Sequence, residues 1–133
     1  MSIATIRTGL ATNLATVTGL RTAATVPDDP KPPVAIVMPP RITFDTAFAR
    51  GLDEYEFTVL VVVGRVSDRV AQSTMDGYCN PTGPTSIKTA IERDKTLGGA
   101  AQTLRVTEMR NYGGISIAEN TYLAAEWVVT VYA

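Results

Sequence analysis

The chain has 133 residues, of which 45% are hydrophobic and 19% charged, and this fits a single globular domain over residues 1–133. Its 12 basic and 13 acidic residues give a formal net charge of −1, which argues against the basic surface of a nucleic-acid-binding domain. The absence of histidine and the single cysteine, Cys79, exclude Ser-His-Asp and Cys-His catalysis, imidazole metal ligands and an internal disulfide.

The first predicted element is an amphipathic helix that Ser2 can cap and Gly19 can end. Its apolar residues recur at helical spacing: Ile3, Ile6, Leu10, Leu14 and Val17. The segment lacks the charged start and apolar block of a signal peptide, and the apolar run Val59–Val63 is too short to span a bilayer. We therefore expect a soluble protein made in the cytoplasm, with no membrane partner.

Short strands are predicted on both sides of a proline-rich connection, Pro27–Pro33, near Thr22–Val26 and at Val34–Met38. Residues 41–63 then predict a long hairpin that projects from the domain. Its first arm carries Ile42, Phe44 and Phe48, and Arg50 and Gly51 lie near its turn. The second arm alternates polar and apolar residues at its start and is apolar on both faces at its end, which predicts a half-solvated outer part.

Two helices and two strands are predicted to follow. The first helix begins at Ser67 or Asp68 and reaches about Tyr78, and the second is capped by Ser86 and ends at Leu97–Ala100. Two alternating segments near residues 103–112 and 121–132 predict the closing strands, with a β-turn expected over Asn111–Ser116. The predicted fold is α+β, with a mostly antiparallel sheet, and with an N-terminal helix and two central helices packed on one face.

The glycine motifs do not predict a phosphate site. Gly64 follows an apolar strand, but neither G-x-G-x-x-G nor the Walker pattern is present, so it is interpreted as a strand-to-helix pivot. Cys79 lies just past a predicted helix C-terminus, where the helix dipole disfavours a thiolate. Carboxylate or lysine chemistry stays open, but no catalytic group converges, so we expect no enzyme, no cofactor and no metal.

Three segments resemble the tail terminator (tail completion) proteins of long-tailed, siphovirus-type phages, especially those of actinobacteria. They are "GLDEYEFTVLVVVGRVSDRVAQSTMDGY", "SIKTAIERDKTLGGAAQTLRVTEMRNYG" and "YLAAEWVVTVYA". The similarity covers nearly the whole chain, and its most specific parts are "GR-SDR-AQ" and "D-TLGG…LRVTE-RNYG".

The resemblance implies a virion protein at the head–tail junction that forms a homo-oligomeric ring, commonly a hexamer. Such a ring caps the head-proximal end of the tail tube, ends its polymerisation and joins the tail to the head–tail connector or stopper protein. Genomic DNA would pass through the lumen without specific binding, which a near-neutral protein suits because few cations hold the phosphates. The alternatives are a head-to-tail stopper or connector subunit and, from another class, a cytosolic ligand-binding domain or carboxylate enzyme with a concave polar pocket.

The hairpin region is our candidate for the subunit or tube interface, because aromatic and arginine side chains are the usual energetic centres of interfaces. The candidate residues are Arg41, Phe44, Asp45, Phe48, Arg50, Glu54 and Glu56. The alternative is that Phe44 and Phe48 are ordinary core residues.

Overall fold

A computed structural model describes residues 3–17, 19–24, 33–44, 53–65, 69–117 and 120–133. Within these residues the chain forms three α-helices, a short 3₁₀ helix at Leu97–Gly99 and a six-stranded sheet. The helices are α1 (Ile3–Leu14), α2 (Arg69–Tyr78) and α3 (Ile87–Ile91). The strands are β1 (Arg21–Ala23), β2 (Val34–Val37), β3 (Arg41–Thr43), β4 (Glu54–Arg65), β5 (Thr103–Ile117) and β6 (Asn120–Tyr132).

The sheet has the order β1-β2-β4-β6-β5, and β3 pairs with the start of β4 beside β2. The β1–β2 pair is parallel and the other pairs are antiparallel, which confirms the predicted α+β class with a mostly antiparallel sheet. Val37 lies opposite Val59 and Arg41 opposite Glu56. The segment between β2 and β3, which contains Pro39-Pro40, therefore has one residue more than the part of β4 that it faces. The two prolines lack N–H donors, and this explains why the strand pairing is interrupted there.

The main core lies between the helices and one face of the sheet. Along β4 the buried residues Tyr55, Phe57, Val59 and Val61 point to this side, which alternation predicts. Helix residues at 3.6-residue spacing meet them: Ile6, Leu10, Leu14, Ala71, Met75, Tyr78, Ile87, Ala90 and Ile91. All three helices therefore cover the same face.

The predicted α2 and α3 are confirmed in position and in inward face. Ser86 caps α3 as expected, because its hydroxyl accepts the N–H of Thr89. Its own O–H donates to the Asn80 carbonyl at 2.6 Å, and this satisfies a serine that is 1% exposed. The α3 helix is shorter than expected and ends at Ile91, and the Leu97–Gly99 segment forms a separate 3₁₀ turn.

Two further boundaries correct the sequence prediction. Helix α1 ends at Leu14 rather than near Gly19, and the Thr16 hydroxyl donates to the Asn13 carbonyl just beyond it. The expected turn over Asn111–Ser116 is wrong, because these residues belong to β5 and the chain reverses between Ile117 and Asn120. Asn111 does take a positive φ of 56°, but it does so in a bulge, where β5 has one more residue than β6 between Arg110 and Gly113.

The β3–β4 pairing agrees with the first part of the predicted hairpin, but residues 45–52, which include its turn, lie outside the described residues. Its projection from the domain therefore stays a prediction. None of the described helices is long and apolar enough to cross a bilayer.

Candidate interaction surface

The sheet face opposite the helices carries charged side chains at the end where β3 pairs with β4. Because Tyr55 and Phe57 point into the main core, Glu54 and Glu56 between them point to the opposite face. Arg41 lies directly across from Glu56 and so shares that face. The structure thus places Arg41, Glu54 and Glu56, three of the candidate interface residues, on the same face.

The strand register extends this set across the sheet into two rows. One row runs Arg41, Glu56, Thr130 and Arg105. The other runs Thr43, Glu54, Tyr132 and Thr103. We call these eight residues the open polar face. Its first row has positive, negative, neutral and positive groups in turn, and Glu54 is the one charged residue of its second row, so the face presents a defined pattern of charge to a neighbour.

Within the open polar face, the second row is tied together by a hydrogen bond. Burial raises the pKa of the Tyr132 hydroxyl, and the hydrogen bond it donates to the Glu54 carboxylate raises it further, while Arg105 opposes both effects. The raised pKa favours the neutral hydroxyl, which is the form that can donate to Glu54.

The charged side chains opposite each other in the first row are free to contact another molecule. Arg41 is exposed and Glu56 is half-buried, and within the described part of the chain neither side chain makes a hydrogen bond or an ion pair. A guanidinium and a partly desolvated carboxylate at adjacent positions can each form a charge-assisted hydrogen bond to another molecule.

Phe44 follows β3 directly and is 68% exposed. Ile42, two residues earlier, packs against the main core opposite Tyr55. The interpretation of Phe44 as an ordinary core residue is therefore wrong. A largely exposed aromatic ring of this kind is typical of an interface anchor. The remaining candidates, Asp45, Phe48 and Arg50, lie outside the described residues.

The other half of the same face is apolar and buried. A second cluster lies there, away from the helices, and consists of Val34, Ile36, Leu60, Val62 and Ala124. The open polar face is therefore confined to one end of the sheet, where the sequence also predicted a half-solvated strand.

Sequence reasoning missed five members of the surface: Thr43, Thr103, Arg105, Thr130 and Tyr132. Alternation in the closing strands did indicate that Arg105 and Thr130 point away from the apolar side. What it could not give is the β4–β6–β5 register, which places them beside Glu56 and Glu54.

Other polar groups are engaged by the protein itself. A groove between α1 and the Leu97–Gly98 turn is lined by threonines, Asn13 and Asp94. The Asn13 amide donates to the carbonyls of Ile91 and Asp94, at 2.9 and 3.1 Å. The Asp94 carboxylate accepts the N–H and hydroxyl of Thr96 and the N–H of Gly98. These groups hold α1, α3 and the turn together.

Cys79 is half-buried just beyond α2, and burial, with a smaller contribution from Asp76, raises the pKa of its thiol. A raised pKa disfavours the thiolate that nucleophilic or metal chemistry needs. No cluster of acidic and cysteine side chains suited to a metal ion occurs among the described residues. Comparison of the chain with models of protein families and with curated proteins finds no match.

Proposed function

We propose that this chain is a structural subunit of a long-tailed phage and forms the ring that caps the head-proximal end of the tail tube. In this role it ends tube polymerisation, joins the tail to the head–tail connector and surrounds the passing DNA. The ring is a homo-oligomer, with six copies as the expected number, and it performs no covalent chemistry.

The observation that carries this proposal is the open polar face together with Phe44. Three helices cover one side of the sheet, while the other side carries charged groups on β3, β4 and β5 at one end, and an aromatic ring that is 68% exposed follows β3 directly. A charge pattern of this kind selects a partner and fixes its register, and an aromatic side chain supplies binding energy. Both properties suit a subunit that works through contacts.

Two features of the sequence add support. Three segments resemble tail terminator proteins. Residues 51–78 contain β4 and α2, residues 86–113 contain α3 and most of β5, and residues 122–133 contain most of β6. The net charge of −1 suits a conduit through which DNA moves, since a strongly basic lumen would retain the phosphates.

The first experiment measures the mass of the purified protein by analytical ultracentrifugation, alone and with purified tail tubes. We expect a six-copy species, either in both conditions or only after tubes are added. A protein that stays monomeric in both would contradict the proposal. Binding to a portal complex instead of to tubes would favour a stopper or connector subunit.

A matched pair of variants tests the surface itself. Phe44→Ser removes the exposed ring that follows β3, and Val70→Ser removes a side chain that is equally exposed, at 69%, at the start of α2. Loss of an interface anchor typically weakens association by more than about tenfold. We expect that loss for Phe44→Ser, with unchanged circular dichroism and melting temperature, and wild-type assembly for Val70→Ser. Equal effects of the two substitutions would remove Phe44 from the interface.

A further inference from the structure

A side chain next to α3 occupies part of the outer edge of the sheet at β5. Within the described residues β5 pairs with β6 and with no strand on its other side. On such an edge, every second residue points its N–H and C=O away from the partner strand, where another strand can bind them. Val106 donates its N–H to Oε2 of Glu92 at 2.9 Å, so this donor is already used.

The other oxygen of Glu92 is held as well. Lys88, one helical turn earlier, donates to Oε1 at 2.6 Å. Only 17% of the Glu92 side chain is exposed, compared with 44% for Lys88. Glu92 is thus clamped between a lysine and a strand backbone, and its position is fixed by both contacts.

The shape of β5, like Glu92, hinders the addition of another strand to this edge. The register with β6 shifts between Val106 and Glu108, immediately beside the Glu92 contact, and again between Arg110 and Gly113. Bulges of this kind bend an edge strand and break its regular row of donors and acceptors. The edge therefore combines a carboxylate plug with two local distortions.

Such protection matters because each copy also has an edge at the opposite side of the sheet. In the described residues β1 pairs with β2 alone, and β3 with β4 alone. Pairing of β5 in one copy with that opposite edge in the next would be head-to-tail, and such contacts extend into open filaments unless the rotation closes them. Side-chain contacts of the open polar face and of Phe44 can join subunits without pairing the backbone edge of β5.

We propose that Glu92 is a cap on β5 that prevents a second copy of this chain from adding a strand to this edge. This proposal is independent of the tail-terminator proposal, since it concerns only how the association of Glu92 variants differs from that of the wild type. It holds whether the wild-type protein is a ring or a monomer.

The test compares Glu92→Ala with two controls. Glu92→Ala removes both contacts, Lys88→Ala removes only the ion pair, and Glu92→Gln keeps an oxygen that can accept the Val106 N–H. Hydrogen exchange followed by NMR or mass spectrometry reports on the Val106 amide, and sedimentation velocity reports on association. We expect Glu92→Ala to exchange this amide at least about tenfold faster and to form larger species than the wild type, while both controls remain close to the wild type.

A rescue variant identifies the surface that associates. Adding Met109→Lys to Glu92→Ala places a charge on the exposed part of the same strand, which should restore the wild-type size. If Glu92→Ala does not fold, Glu92→Leu fills the space without an acceptor and serves in its place. An unchanged size distribution in the acceptor-free variant, or association that Met109→Lys leaves intact, would overturn the proposal.

Discussion

Gly9 lies within α1 where the helix crosses the turn at Leu97, and replacing it with alanine tests this packing. An ideal Cβ at Gly9 would be 2.7 Å from the Cβ of Leu97, far inside the 3.5–4.0 Å at which carbon atoms attract. Leu97 cannot move away easily. It has a positive φ of 51°, its N–H donates to the Asp94 carbonyl at 3.2 Å, and the next amide donates to the Asp94 carboxylate at 2.9 Å.

Two effects of opposite sign determine the magnitude. Alanine is favoured over glycine inside a helix by about 1 kcal/mol, and a forced core contact costs about 1–3 kcal/mol. We therefore expect Gly9→Ala to lower the free energy of unfolding by roughly 0–2 kcal/mol. Gly77→Ala in α2 is the control, because its Cβ would lie 3.4 Å from the Thr85 hydroxyl oxygen, an ordinary contact. That variant should gain up to about 1 kcal/mol.

The assay is urea unfolding of both variants, with melting temperature as a second readout. The two should differ by roughly 1–3 kcal/mol, or about 3–5 °C for each kcal/mol in a chain of this length. A Leu97→Gly background removes the clashing Cβ, so Gly9→Ala should lose its penalty there. Equal stabilisation by Gly9→Ala and Gly77→Ala in the wild-type background would refute the close contact.

Three further predictions concern single polar groups. Asn13 is 6% exposed and donates to two carbonyls, so Asn13→Ala should lower the free energy of unfolding in urea by about 1–3 kcal/mol. Asn13→Asp should lower it further, because its carboxylate would face both carbonyl oxygens. Hydrogen bonds lower the pKa of Asp94, first from the Thr96 hydroxyl and then from the Gly98 and Thr96 amides. The stability that these bonds give the folded protein is therefore present above the unfolded pKa of Asp94, about 3.9. It is lost as the pH falls through the lower folded pKa. The free energy of unfolding of Asp94→Asn should therefore depend less on pH below about pH 4. Burial, followed by a 2.8 Å hydrogen bond to Asp76, raises the pKa of Tyr112 to about 12, so Asp76→Asn, which leaves the burial in place, should lower its ultraviolet titration only part of the way toward about 10.

Each of these has a result that would count against it. Full wild-type stability of Asn13→Asp would mean that the amide does not bind the two carbonyls. An Asp94→Asn profile parallel to that of the wild type would assign the acid dependence to other carboxylates. The folded pKa of Tyr112 is raised, so the stability that this residue contributes is fully present below about pH 10 and decreases as the pH rises toward 12. Tyr112→Phe should abolish this decrease in the free energy of unfolding.

Much of the fold follows from local patterns in the sequence. Alternation in β4 and β6, the spacing of Ala71, Met75 and Tyr78 in α2, and the Ser86 cap each depend on residues a few positions apart. Such local signals predicted the helices, most strands and the side of the sheet that meets the core.

The parts that could not be predicted depend on residues far apart in sequence. Asn111 has the chemistry of a turn residue, and only the pairing of its neighbours Arg110 and Gly113 with β6 shows that it lies in a bulge instead. The open polar face joins Arg41, Glu56 and Arg105 through the registers of three strand pairs, and no local pattern fixes those registers. Phe44 was ambiguous between core and surface because β3 ends one residue before it.

The hydrogen bonds of Asn13 have a consequence for how the chain is made. Their acceptors, Ile91 and Asp94, follow 78 and 81 residues later, so α1 leaves the ribosome long before the carbonyls that anchor it. Until then its apolar side lacks much of its final cover and is a surface on which chaperones can act.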